Sequence, residues 1–214
     1  MTKNILCYGD SNTWGSNASG EARFDDAERW PGVLQNALGN GYRVIEEGLP
    51  GRTTVWDDPI EGYKNGLTYL HPCLASHAPL DLVILMLGTN DLKARFSLTA
   101  YDIAQGAGVL VRVIQKSEAG VGGAAPPVLL IAPSRIHPPD GSDAALMFSG
   151  GAQKSAALGE QFARMAAEYA CGFLDAVNLV SLDPVDGIHL TREDHQRLGE
   201  AVAEKVRAML ESGS

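Results

Sequence analysis

The run Leu82-Val83-Ile84-Leu85-Met86-Leu87 limits what this chain can fold into more than any other stretch. Consecutive apolar residues without alternation suit a central strand of a parallel sheet, covered by helices on both faces. The run stops at Gly88-Thr89-Asn90-Asp91, residue types that turn a backbone. Shorter strand-like runs recur at 5–8, 42–46, Val128–Ala132 and Gly172–Asp175. Between them, apolar residues at helical spacing predict helices over 28–38, 67–76, 100–116 and 152–169, with a last helix from Thr191. Alternating strands and helices predict an α/β fold, a three-layer α/β/α sandwich on a mostly parallel sheet. With neither a repeat nor a linker, the 214 residues read as one domain, 1–214. Residues 16–27 read as a polar surface loop. Residues 133–150 form a long Pro/Gly-containing loop of the kind that more often serves function than not.

Composition narrows the partners. Seventeen Lys and Arg against 26 Asp and Glu give a net charge of -9. That argues against nucleic acid, whose phosphates need clustered cations, and against anionic membrane surfaces. No apolar run approaches a bilayer span, and the opening Met1-Thr2-Lys3-Asn4 is no signal-peptide start. Cys7, Cys73 and Cys171 are odd in number and far apart, so buried free thiols are expected. A cytoplasmic protein acting on a small molecule fits all of this. Asp57-Asp58 and the scattered histidines lack metal-ligand spacing, so no metal is expected and Asp57-Asp58 reads as a solvated acidic loop. No Gly-x-Ser-x-Gly elbow and no Walker or dinucleotide fingerprint is present.

The chemistry-bearing residues fall in loops that follow strands, and open α/β sheets place ligands at that edge. Ser11, in Gly9-Asp10-Ser11-Asn12-Thr13-Trp14-Gly15, sits on a bend from strand to helix. It reads either as a nucleophile or as a helix N-cap. Asp186-Gly187-Ile188-His189 places a carboxylate three residues before an imidazole across a glycine turn. Asp186 can hold Nδ1–H there, leaving the other ring nitrogen to take a proton from a serine; a purely structural turn is the plainer reading. An attacking serine also needs donors for the developing oxyanion. The Ser11 N–H, the Gly51 N–H and the Asn90 side-chain amide are the candidates, although Asn90 alone reads as a turn residue. His189 outranks His71, His77, His137 and His195, which lack such a carboxylate; His195 is expected on the exposed face of the last helix. Asp10 is expected to order the turn and not to act as an acid. Trp14, Lys93, Met147, Phe148 and Ile188 are candidate pocket-mouth residues, with core packing the alternative for the apolar ones.

Together, Gly9-Asp10-Ser11-Asn12-Thr13, Gly51, Gly88-Thr89-Asn90-Asp91 and Asp186 to His189 resemble the four blocks of the SGNH (GDSL-type) hydrolase family. The stretches 5–11, 44–49 and 87–93 look closest to bacterial arylesterases with acyltransferase side activity. The resemblance implies a flavodoxin-like five-stranded sheet, ester hydrolysis without a cofactor, and a homo-oligomer. It implies short acyl, especially acetyl, esters of aryl or alkyl alcohols as substrates, with acyl transfer to alcohols as a companion reaction. A thioesterase, lysophospholipase or carbohydrate acetylesterase would share the machinery. A flavodoxin-like module binding an anion at the Ser11 loop is the non-enzymatic alternative. The loop 16–28 is short and residues 133–150 match no family motif, which leaves the substrate open.

Overall fold

The computed structural model describes residues 2–20 and 22–211. Met1, Glu21 and residues 212–214 lie outside the described residues, and with them small parts of the opening segment, the 16–27 loop and the span read as one domain. Strands β1 (Lys3–Gly9), β2 (Tyr42–Gly48), β3 (Leu82–Met86), β4 (Val128–Ala132) and β5 (Gly172–Asp175) form one sheet in the order β2-β1-β3-β4-β5. Every pairing is parallel, with Cys7 in register with Glu46 on one side and Ile84 on the other. The inner strands β3 and β4 are buried along their whole length, which is why they appear in the sequence as unbroken apolar runs. The edge strands β2 and β5 are partly exposed and carry weaker patterns.

The helices in chain order are α1 (Ser11–Trp14), α2 (Trp30–Leu38), α3 (Gly66–His77), α4 (Ala100–Gln115), α5 (Asp143–Met147), α6 (Gly151–Ala156), α7 (Leu158–Glu168) and α8 (Arg192–Glu211). α2 packs on α8 on one face of the sheet, while α4 packs on α3 and α7 on the other. A capping box of Thr99 and Asp102 starts α4, whose Ile103, Ala107, Leu110, Val111 and Ile114 are all buried.

Several local expectations change in three dimensions. The helix expected over 152–169 divides into α6 and α7 at Ala157. Ser155 is fully buried there, donating its hydroxyl back to Ala152 O at 2.9 Å and accepting the Ile136 N–H at 3.2 Å. Back-bonding of that kind disturbs a helical ladder. His195 faces the α2–α8 interface and not solvent. It is fully buried, its Nδ1 accepts the Trp30 N–H at 3.2 Å, and Phe24 packs edge-on against its ring. Burial pushes its pKa down to about 3, so the ring is neutral. Cys7 and Cys73 are buried free thiols, and Cys171 is half-buried. No helix among the described residues is long and apolar enough to cross a membrane.

The chain steps outward from β1 to β2, then returns across β1 to β3. The carboxyl ends of β1 and β3 therefore border the switch point where open α/β sheets bind ligands. Ser11 follows β1 and Asn90 follows β3.

Candidate active site

Ser11 opens α1, a helix of one turn that Asp10 caps by accepting the Asn12 N–H at 3.0 Å. The Ser11 hydroxyl lies 3.0 Å from His189 Nε2, and His189 Nδ1 lies 2.5 Å from Asp186 Oδ2. The second Asp186 oxygen accepts the backbone N–H groups of Ile188 and His189 at 2.8 and 2.9 Å. Half-burial alone would raise the Asp186 pKa. The hydrogen bonds from the His189 ring and from these two N–H groups outweigh it and hold the carboxylate below its ordinary range. Gly187 makes the turn possible: its φ is +67°, and a Cβ there would run into His137 O.

Two further segments meet Ser11. Gly51, at φ +83°, lies in the loop after β2, and Asn90 opens a short 3₁₀ turn after β3. Asn90 is oriented by donating one amide hydrogen to Arg52 O at 3.2 Å, and its second amide hydrogen meets no acceptor among the described residues. Asp91 ties the two segments together, accepting the Thr54 N–H at 3.1 Å on each oxygen and the Thr54 hydroxyl as well. Burial raises the Asp91 pKa to about 7 and that of Asp10 to about 6.

Ser11, Gly51, Asn90, Asp186 and His189 all line one cavity of about 380 Å³. Lys93, Met147, Phe148 and Ile188 line it too, with α5 of the 133–150 loop bringing Met147 and Phe148. Trp14, expected at the pocket mouth, does not line it. Its backbone lies on the end of β2, and its ring packs beneath the Arg23 guanidinium at 4.7 Å.

Residues 7–197 match the GDSL-like lipase/acylhydrolase family. The chain belongs to that family. Among solved structures, this family member is similar to an aryl esterase of M. smegmatis, with 46% identity, a TM-score of 0.92, and 98% of this chain and 100% of that one covered. It is also similar to Est24, a carbohydrate acetylesterase from Sinorhizobium meliloti, with 44% identity, a TM-score of 0.92 and coverage of 97% and 100%. A putative arylesterase from Agrobacterium tumefaciens shows 35% identity and a TM-score of 0.91, with coverage of 98% and 100%. The curated proteins contain no match.

Sequence patterns did not disclose several residues that build this hydrolase-family site. Asn12 clamps the histidine loop: its Oδ1 accepts the Leu190 N–H at 3.0 Å and its Nδ2 donates to Ile188 O at 3.2 Å, one bond on either side of His189. Arg52 is buried, donating to Gly9 O at 2.9 Å and to Glu47 O, with its guanidinium 4.1 Å from the Tyr8 ring. It thereby joins the ends of β1 and β2 to the glycine loop. Asp58, read with Asp57 as a solvated pair, is buried and ion-paired with Arg95 at 3.2 Å; Asp57 alone is exposed. Buried Lys93 and half-buried Arg95 compensate the Asp58 charge, which no local pattern reveals. Glu47, Cys73 and His77 also come within 4.8 Å of one another. There His77 Nε2 contacts Glu47 Oε1 at 2.8 Å, and burial pushes the Cys73 thiol up to about 12, so the thiol stays protonated.

Proposed function

We propose that this family member is a serine esterase that cleaves short-chain acyl esters, acetyl esters above all, of aryl or alkyl alcohols. The observation that carries the reading is the continuous path from Ser11 Oγ through His189 to Asp186, opening on a cavity at the sheet's switch point. In this reading His189 Nε2 takes the Ser11 proton as Oγ attacks the ester carbonyl. Asp186 holds the opposite ring nitrogen and stabilises the imidazolium. The Ser11 and Gly51 N–H groups and Asn90 Nδ2 receive the oxyanion. His189 then returns the proton to the departing alcohol oxygen, leaving an acyl-serine. Water, deprotonated by His189, attacks that acyl carbon, and His189 returns the proton to Ser11 Oγ as the carboxylic acid leaves.

A cavity of about 380 Å³ favours short acyl groups over long chains, which supports an esterase over a lysophospholipase. Met147, Phe148 and Ile188 give it an apolar wall; keeping water scarce there favours transfer of the acyl group to a second alcohol. Names among the similar structures, aryl esterase and carbohydrate acetylesterase, support acyl ester cleavage with either kind of alcohol. Exposed Tyr63 and Tyr69 beside Leu49, around a second hollow of about 840 Å³, support self-association, which light scattering on the purified protein reads directly. A monomer at micromolar concentration would sink that part.

The test is a p-nitrophenyl ester series from acetate to laurate, with intact-mass labelling by a fluorophosphonate. Turnover falling steeply with chain length and a single adduct that Ser11→Ala abolishes are expected. An adduct-free folded protein would leave the anion-binding module as the better reading.

A further inference from the structure

Part of the cavity wall is ionic, and its chemistry differs from what an alkyl or aryl group needs. Lys93 is 2% exposed, and its Nζ donates to Glu61 Oε1 at 2.6 Å and stands 3.7 Å from Asp58 Oδ2. Arg95 contacts Asp58 Oδ1 at 3.2 Å and the same Glu61 Oε1 at 3.3 Å. Two cations and two carboxylates pair within this group, and the Lys64 stem lies beside it, its Cε 3.2 Å from where a Gly51 Cβ would sit. Both cations act on Oε1, and Glu61 Oε2 has no hydrogen-bond partner among the described residues. That free oxygen lies against Gly51, 2.8 Å from where a Cβ on the glycine would sit. Glu61, Lys93 and Gly51 all line the same cavity as Ser11.

The Glu61 side chain is 34% exposed, so this oxygen is open to the cavity, where a substrate donor can replace water. An ester group has no donor to give it, and an anionic substrate would be repelled by it. A cationic substrate gains little, because Lys93 and Arg95 already neutralise the two carboxylates. A hydroxyl supplies one donor and no charge. We propose that Glu61, held through Oε1 by Lys93 and Arg95, offers Oε2 as a hydroxyl-recognising subsite for the alcohol portion of the ester. The substrates best suited to the site are then acyl esters of polyols that keep a second hydroxyl free. This rests on the esterase reading and narrows its alcohol. Gly51 has its part: without a Cβ, its loop leaves the oxygen open to the ester.

The proposal is tested with two acetates of nearly equal size, 2-hydroxyethyl acetate and propyl acetate, which differ by a hydroxyl in place of a methyl. Acetate release is followed by pH-stat. The native protein is expected to favour the hydroxyethyl ester in kcat/KM by about tenfold, the low end of what a hydrogen bond to a charged group contributes. In Glu61→Met that ratio should fall to about one or below, and in Glu61→Gln, whose neutral amide still hydrogen-bonds a hydroxyl, to about threefold, the change appearing mainly in KM. Fluorophosphonate labelling of Ser11 to the native extent shows that the site is assembled in each variant. If Glu61→Met does not fold, Glu61→Ala, which likewise offers no acceptor, decides. A native ratio at or below one, or a ratio that survives both substitutions, overturns the subsite while leaving the esterase intact. If neither acetate is cleaved and Ser11 takes no adduct, the esterase reading fails and the subsite falls with it.

Discussion

Asn12→Ala tests whether one side chain sets the distance between Ser11 and His189. The amide makes two buried hydrogen bonds, to the Leu190 N–H at 3.0 Å and to Ile188 O at 3.2 Å. Alanine removes both partners and leaves a backbone donor and a backbone acceptor without mates. Each such orphan costs about 1–3 kcal/mol when buried. The neighbouring cavity lets water reach part of the loop, so a total of about 2–3 kcal/mol is expected, near the low end for two orphans. For a chain of this size that lowers Tm by roughly 4–12 °C. The catalytic effect has a different origin. Asp186 still binds the Ile188 and His189 N–H groups and the ring, so the imidazole keeps its orientation. What is lost is the position of the whole Asp186–His189 turn against α1. Misplacement by about 1 Å lowers rates by about a hundredfold, so kcat on p-nitrophenyl acetate should fall by about 10- to 100-fold with KM little changed. Asn12→Asp keeps the acceptor for Leu190 but sets a carboxylate oxygen against Ile188 O, and should lower Tm at least as much as alanine does. Thermal unfolding and steady-state kinetics on folded protein at 25 °C provide both readouts. Native kcat with a lowered Tm would make Asn12 a structural brace only, and native values of both would refute the clamp.

Asp186→Asn should fold normally and lose about 10⁴-fold in kcat, because the amide cannot hold the required tautomer of His189; near-native turnover would mean that another group orients the ring. Asn90→Ala should lower kcat by about 10²–10³ and change KM little, and the opposite pattern would recast Asn90 as a ground-state binding residue. His195 gives a pH prediction. Its folded pKa of about 3 lies below the unfolded value of 6.5, so the unfolded chain binds the extra proton between these values and stability falls as pH drops through that window. Asp10 and Asp91 act in the opposite sense: burial raises them to about 6 and about 7, so they weaken the fold as pH rises from about 4 towards 7. Denaturant unfolding of native protein and His195→Asn across pH 4–8 separates these contributions. The difference between the two should change by about 1.4 kcal/mol per pH unit below 6.5, and parallel profiles would show that His195 does not titrate as a buried neutral ring.

Much of the architecture was legible because its causes are local. β4 and β5 begin and end at Val128–Ala132 and Gly172–Asp175, where the apolar runs do. At the start of α8 the Thr191 hydroxyl caps the chain locally, accepting the Asp194 N–H at 3.1 Å and donating to Asp194 Oδ2 at 2.7 Å. Asp186 and His189 meet for a similarly local reason, since three residues and a glycine with positive φ bring them together. Trp14, Asp58 and His195 were misplaced because their surroundings come from distant segments. Arg23 covers the indole, Lys93 and Arg95 neutralise Asp58, and α2 covers the imidazole. None of these partners leaves a periodic signal at the residue concerned.

By itself, the sequence determined an alternating α/β chain, its strand-end loops, and the residue types that converge there. Those follow from side-chain period and turn chemistry, which act over a few residues. Only the tertiary structure decided the 3.0 Å approach of Ser11 to His189 across 178 residues of chain, the Asn12 clamp beside it, and the free Glu61 oxygen at the cavity wall. Such contacts depend on the register and stacking of whole elements, and the energy that selects them is shared over the core and not written at any single position.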